Sequence, residues 1–229
     1  MKRFLGFMAV LLGLWSATDR AEAKKTEDQE FRRVTVMLRS GEQIDGYLHR
    51  GWHADNSFMK KENYSFKLVR TPDDKEPVKY TADEVEWVEY VEKTENNPDG
   101  IRWESRDLAS PGIGDRYRTL RRMVCLNKAG ENATVYWWKV WTTEQVGNIQ
   151  RRVLKTMYGI RFHNDPEGVV YPYMLVGTML MDKLHPGLKE FCKGWFKGAD
   201  GKAHKKEAKV DDAWMLDMYD AYLARQGVE

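Results

Sequence analysis

The side chains best suited to contact a ligand lie in one short aromatic segment, residues 136–141, which reads YWWKVW. Alternate side chains of a β-strand face opposite sides of a sheet. Trp137 and Trp141 therefore share one face, and Tyr136 and Trp138 share the other. Aromatic side chains combine a large apolar area with a polar edge, which suits them to sugar rings and peptides. We take these four residues as candidate ligand-binding residues. The alternative is that the sheet's own core covers one face and C-terminal helices cover the other.

Two histidines four residues apart, His49 and His53, are the candidates for a metal site. Such a pair converges on one ion when both residues lie on a helix. Gly51 lies between them and a strand pattern precedes them, so we place the pair at a strand end and in a loop. We therefore predict no metal site and no cofactor.

Nucleophilic catalysis has little support in the sequence. No serine lies in a G-x-S-x-G elbow. Cys125 and Cys192 each lie among apolar neighbours, which raise the pKa of a thiol. They would be able to form a disulfide in an oxidising compartment, and two buried free thiols are the alternative. Sequence alone does not decide between the two.

Acidic side chains are frequent between residues 83 and 95. Two carboxyl groups that flank a glycosidic bond are the machinery of most glycosidases. A secreted hydrolase that acts on polysaccharide or peptide is therefore the alternative function. We favour a charged, solvent-facing role for these acids, since no pair can be assigned from sequence. We name no catalytic residue and expect a binding or scaffolding protein rather than an enzyme.

The N-terminus predicts export. Lys2 and Arg3 precede an apolar run at residues 4–15, and residues 21–23 (AEA) fit a signal-peptidase site. Twelve apolar residues span about 18 Å as a helix, which is short of the ~30 Å core of a bilayer. We expect residues 1–23 to be a signal peptide and residues 24–30 a mobile leader. The mature protein would be soluble and periplasmic or secreted, with no stable membrane anchor.

The net charge of the chain limits the classes of partner that it is expected to bind. Residues 1–23 carry three basic and two acidic side chains, so their removal lowers the formal net charge from +2 to +1. A balanced charge gives no overall field to attract nucleic acid. We therefore predict no nucleic-acid partner and expect a glycan or a protein instead.

The elements that must position these residues begin with a small antiparallel β domain at residues 31–95. Its first hairpin follows the pattern V-x-V-x-L-x-x-G-x-x-I-x-G-x-L from Val34 to Leu48, with a turn at Ser40-Gly41. This pattern resembles the opening hairpin of SH3-like and Sm-like barrels, which implies a barrel-like head. Sm-like domains bind RNA, but export and balanced charge argue against that role here. The layout is also similar to uncharacterised exported proteins of Gram-negative bacteria, which implies no particular activity.

The remaining chain is predicted to be a linker at residues 96–114 and a second region at residues 115–229. That region begins with a hairpin formed by residues 118–127 and 133–141. Residues 143–157 fit either a helix or a strand. We favour a hairpin made by 154–162 and 169–173, with a short helix before it as the alternative. Apolar spacing then predicts helices at the C-terminus. The fold class expected is α+β.

Overall fold

The computed structural model describes residues 32–48, 64–91, 101–111, 117–147, 149–176, 179–209 and 212–227. The predicted signal peptide and leader, together with His49 and His53, lie outside these ranges.

Ten strands form one curled, half-barrel sheet. In chain order they are β1 (Arg32–Leu38), β2 (Gln43–Leu48), β3 (Ser65–Val69), β4 (Val78–Thr81), β5 (Val85–Tyr90), β6 (Arg102–Pro111), β7 (Tyr117–Ala129), β8 (Ala133–Val146), β9 (Ile149–Phe162) and β10 (Tyr171–Pro172). Their order across the sheet is β10-β9-β8-β7-β6-β5-β1-β2-β3-β4. Every pair of neighbouring strands is antiparallel.

The first five strands follow the predicted alternation of apolar and polar residues. Val34 and Val36 of β1 are fully buried, and β1 pairs with β2 on one side and with β5 on the other. The predicted turn after β1 is confirmed. Gly41 has φ of 88°, a left-handed conformation that glycine adopts without steric cost. A second tight turn joins β4 to β5, where the Glu84 carboxylate accepts hydrogen bonds from the Thr81 amide (2.8 Å) and hydroxyl (2.7 Å).

Strand β6 differs from the sequence prediction, because its ten residues lie inside the segment predicted to be a linker. It pairs with β5 through Trp87↔Glu104 and with β7 along nine residues. Turn-forming residues at both ends of 96–114 suggested a linker, whereas residues 102–111 between them alternate as a strand does. The sheet therefore runs without a break from the first five strands into the second region.

The ambiguous segment 143–157 is a strand on both sides of a turn. Strands β8 and β9 pair without interruption from Ala133↔Phe162 to Val146↔Ile149, and Gly147 has φ of 61° in the turn between them. The described residues of this stretch contain no helix, so the alternative of a short helix is not seen there. The hairpin predicted from 154–162 and 169–173 is present as the pairing of β9 with the two-residue β10. Val170 also forms a parallel bridge with Leu108 of β6, which brings the chain after β9 back to that strand.

Helices follow the last strand, as the apolar spacing predicted. They are α1 (Tyr173–Val176), α2 (Met179–Leu184), α3 (Leu188–Trp195), α4 (Gly201–Glu207) and α5 (Trp214–Gln226). Their buried residues, among them Met181, Leu188 and Tyr219, join Val135 and Ile160 of the sheet in one apolar cluster. The chain is thus mostly antiparallel β with C-terminal helices. In the part of the chain that the structure describes, no helix is long and apolar enough to cross a membrane.

Candidate functional site

The pairing register defines two faces of the sheet at the predicted aromatic site. One face carries Trp87, Glu104 and Val124 on neighbouring strands, and further along it carries Leu126, Tyr136 and Gly159. We call this the Glu104 face. The opposite face carries Val88, Trp103, Cys125 and Trp137. The predicted alternation of the aromatic side chains along β8 therefore holds in the structure.

Tyr136 and Trp138 lie on the Glu104 face and are almost fully buried, with exposed fractions of 1% and 3%. They form an apolar cluster with Val124 and Val170, and partly buried residues such as Leu108 pack against it. Neither ring is accessible to a ligand, so the alternative in which this face is covered describes these two residues.

Trp137 lies on the opposite face and is partly buried. Its ring meets that of Trp103 edge-on, with 5.1 Å between the ring centroids. Both rings belong to the core of the first five strands. The side chain of Trp141 lies outside the described residues. Of the candidate ligand-binding residues that are described, only Trp137 thus has part of its side chain exposed.

A charged group that the sequence prediction missed occupies the Glu104 face. Glu104 is 8% exposed and is the only buried acidic residue among those the structure describes. Its Oε2 accepts hydrogen bonds from Arg106 Nη2 (2.6 Å), Arg106 Nε (3.0 Å) and Tyr136 Oη (2.8 Å). Arg102 Nε lies 3.3 Å from the other carboxylate oxygen, Oε1. We call these four residues the Glu104 centre.

The environment of Glu104 favours the ionised carboxylate. Burial acts to raise its pKa, but the charge of Arg106 and the hydrogen bonds from Tyr136 and Arg106 act against burial, with a further contribution from Arg102. The pKa of Glu104 is therefore below its ordinary value. Burial and the negative charge of Glu104 together raise the pKa of Tyr136, so its hydroxyl stays protonated and remains a donor. Glu104 is a fixed anion rather than a proton donor.

No protein-family model, curated protein or solved structure matches the chain.

The Glu104 centre continues toward β5 through Arg102. The guanidinium carbon of Arg102 lies 4.6 Å from the centroid of the Trp87 ring, a cation–π geometry. Its Nη1 lies 3.6 Å from Glu89 Oε2. Glu89 belongs to the acidic segment between residues 83 and 95. In the structure it takes part in an ion pair, and Glu84 of the same segment caps a turn. Neither acid is brought against a second carboxylate in these contacts.

The two cysteines are unpaired in the structure, so the disulfide considered from sequence is not formed. Cys125 lies in the core of the first five strands, whereas Cys192 of α3 packs against the helical cluster. Burial raises the pKa of the Cys125 thiol well above its usual range, and the charge of Glu104 adds to the shift. Burial raises the pKa of Cys192 to about 11. Both sulfurs are protonated at neutral pH and are poor nucleophiles.

A second cluster of polar side chains forms hydrogen bonds with Asp165 and Glu167, which lie in the loop before β10. The Tyr171 hydroxyl donates to Asp165 Oδ2 (2.9 Å), and the Tyr117 hydroxyl donates to Glu167 Oε2 (3.1 Å). His185 lies nearby with its ring centroid 4.3 Å from that of Phe162, and burial lowers its pKa. No group of three or more potential metal ligands occurs among the residues the structure describes.

The sequence held one signal for the Glu104 centre that we did not use. Arg102, Glu104 and Arg106 recur at every second residue, which places them on one face of a strand. The prediction of a linker at 96–114 concealed this pattern. The partner Tyr136 was found, but for its ring rather than for its hydroxyl.

Proposed function

We propose that this chain is an exported, non-catalytic binding or scaffolding protein of the periplasm or the cell exterior. The N-terminal pattern of a basic start, an apolar run and a small-residue cleavage site supports export. The state of the Glu104 centre supports a non-catalytic role. A general acid needs a pKa near the working pH, and the environment of Glu104 shifts its pKa in the other direction.

Other groups support the same proposal. Asp74, Glu144 and Glu190 also have pKa values shifted downward, through hydrogen bonds from Thr71, Lys155 and Lys193 respectively. The thiols of Cys125 and Cys192 are shifted toward their protonated form. The lowered pKa values make these carboxyl groups poor general acids, and the raised pKa values make the two thiols poor nucleophiles. A hydrolase that acts on polysaccharide or peptide is the weaker alternative.

We further propose that the first five strands act as a barrel-like head. The support is the order β5-β1-β2-β3-β4, in which β1 lies between β2 and β5, together with the hairpin pattern that resembles SH3-like and Sm-like barrels. A head of this kind offers loops and a sheet face for binding and requires no catalytic group.

The test combines location with activity. The full chain is expressed in a Gram-negative host with a C-terminal tag, and the periplasm, medium, membranes and cytoplasm are separated. We expect a processed form that begins near Lys24 in the periplasm or medium. Purified protein is then assayed for hydrolysis of polysaccharide and peptide panels, and for thermal shifts with the same compounds. Recovery of the full chain in the cytoplasm, with residues 1–23 still attached, would contradict export. Turnover of any of these compounds by the unmodified chain would contradict the non-catalytic role.

A further inference from the structure

The positive charge of this chain is concentrated in strands β6–β9. The described residues between 101 and 162 include eight arginines and three lysines but only four acidic residues, a net charge of +7. The described residues between 32 and 91 sum to −2, and those between 163 and 227 sum to zero. The near-neutral total of the whole sequence conceals this local excess.

The pairing register places several arginines on the Glu104 face. Arg106 of β6 lies directly opposite Arg122 of β7, and Arg118 lies four residues before Arg122 on the same face. Like charges that are directly opposite on neighbouring strands destabilise a sheet. Glu104 offsets part of this repulsion through Arg106. Arg102 and Arg106 thus have a structural role beside Glu104, whereas Arg118 is exposed near the start of β7 and is available to an anionic partner.

The hairpin β8–β9 extends this basic surface beyond the sheet. In the register of the described residues, β8 pairs with β7 only as far as Trp137, and β9 pairs with β10 only at Gly159 and Ile160. The nine pairs from Trp138↔Met157 to Val146↔Ile149 thus form a two-stranded ribbon about 30 Å long. The Glu104 face of this ribbon carries Arg151 and Lys155, which share the single acid Glu144.

Arg161 adds an independent observation. It pairs with Thr134 and so lies on the Glu104 face, and its positive charge is felt by Tyr136. Its Nε is buried and has no hydrogen-bond partner among the described residues. Buried donors are normally satisfied. Because this nitrogen is shielded from solvent, it cannot contact an external ligand, and Arg161 contributes to binding only through its positive charge.

We propose that the exposed basic residues of the Glu104 face of β6–β9, among them Arg118, Arg151 and Lys155, bind a carboxylated polysaccharide. The guanidinium fork matches a carboxylate in geometry and is weakly hydrated, which favours arginine over lysine for this task. This inference rests on the proposed export, because an exported protein meets acidic glycans and not cellular nucleic acid.

The test is binding of the purified chain to polygalacturonate, measured by calorimetry at several salt concentrations. Neutral dextran, poly-L-glutamate and double-stranded DNA serve as comparison probes. We expect binding to polygalacturonate that weakens as salt rises, and no binding to dextran. The double variant R118Q/R151Q should bind about tenfold more weakly, since two exposed charge contacts are removed. Both side chains lie at the surface, and a thermal melt confirms that the variant is folded.

The matched control is K202Q/K205Q, which removes the same charge from exposed positions of α4. We expect its affinity for polygalacturonate to equal that of the unmodified chain. Equal losses in both variants would mean that net charge alone drives binding, and would overturn the proposal. Absence of binding would also overturn it. Tighter binding of DNA or of poly-L-glutamate would overturn it in favour of a nucleic-acid or an acidic protein partner. Binding by a chain that is not exported would refute only the proposed location.

Discussion

At the level of single residues, Glu104 carries most of the electrostatic cost in the described part of the chain. Moving a carboxylate out of water costs several kcal/mol unless other groups replace its hydration. Arg106 supplies two hydrogen bonds and a positive charge, and Tyr136 supplies a third hydrogen bond. These contacts join β6 to β8 across β7. The Glu104 centre therefore links two strands that are not neighbours in the sheet.

Glu104→Gln should destabilise the fold by about 3 kcal/mol. The substitution preserves the shape of the side chain but leaves the partly buried Arg106 without its counter-ion. Urea unfolding followed by circular dichroism measures the change. Glu190→Gln is the control, because Glu190 forms only an exposed ion pair with Lys193, and it should leave the midpoint nearly unchanged. Equal midpoints for the two variants would contradict the role given to Glu104.

Tyr136→Phe should destabilise the fold by about 2 kcal/mol, because it removes one donor from a buried carboxylate and leaves the ring packing in place. The same unfolding measurement applies. Tyr173→Phe removes a hydroxyl from a side chain that is 45% exposed, and it should have little effect. If the loss in Tyr136→Phe is no larger than in Tyr173→Phe, the hydroxyl of Tyr136 does not support Glu104.

At the level of strands and helices, local alternation predicted the first hairpin correctly. Val34 and Val36 alternate with polar residues, and Gly41 supplies the conformation that the turn needs, so the information lies within a few residues. The same reasoning failed for β6. Its alternation places charged residues on a buried face, where Glu104 is tolerated only because Tyr136 of β8 and two neighbouring arginines surround it. No local pattern could reveal a partner 32 residues away.

The segment 143–157 shows a second reason why the sequence alone did not decide the secondary structure. Val146, Ile149, Val153 and Met157 recur at helical intervals, yet the backbone is paired on both sides of the turn. Cross-strand hydrogen bonds over fourteen residue pairs outweigh a short helical pattern, because a helix of this length is marginal without a large packing face. The burial of Tyr136 and Trp138 was likewise beyond the sequence, since the apolar residues that cover them come from β6, β7 and the segment before β10.

Position 159 of β9 should not tolerate any residue larger than glycine. A Cβ at this position would lie 2.7 Å from the Tyr171 carbonyl oxygen and 2.9 Å from the Trp138 ring. Gly159→Ala should therefore destabilise the fold by about 2 kcal/mol through overpacking and loss of the β10 pairing. Gly194→Ala in α3 is the control, because no atom lies within 4 Å of its added Cβ, and alanine should be neutral or slightly stabilising there. Equal thermal midpoints for both variants would contradict the tight contact of β9 with β10.

At the level of the whole molecule, apolar clusters cover both faces of one continuous sheet. The face opposite Glu104 carries the core of the first five strands and, further along, the cluster shared with the helices. The Glu104 face carries the cluster around Tyr136 and Trp138. Cys125 and Cys192 belong to different clusters, which explains why they do not meet.

The purified protein should therefore contain two free thiols even when it is isolated from an oxidising compartment. Both thiols are sheltered and have raised pKa values, so alkylation of the native protein should be slow. Alkylation after unfolding in the absence of reductant should add two labels per chain by mass spectrometry. A mass that shows no labels would mean that the cysteines are paired, which would require a different arrangement of the two clusters.

The protonation state of Glu104 distinguishes the proposed binding protein from the alternative, a hydrolase. A depressed pKa means that the folded chain gains stability from the ionised carboxylate. This contribution is complete above the ordinary value of 4.5 and is lost as the pH falls below it, through the pKa of the folded state. A catalytic acid of a hydrolase at the same position would show the reverse, with a pKa raised toward neutrality.

The most direct test is therefore a titration of the Glu104 side-chain carbon by carbon-13 NMR, with Glu104→Gln used to assign the signal. We predict a pKa below 4.5, and acid destabilisation between that pKa and 4.5 that is reduced in the variant. A pKa above 4.5 for Glu104 would contradict a charge-compensated, non-catalytic centre and would favour an acid that takes part in hydrolysis.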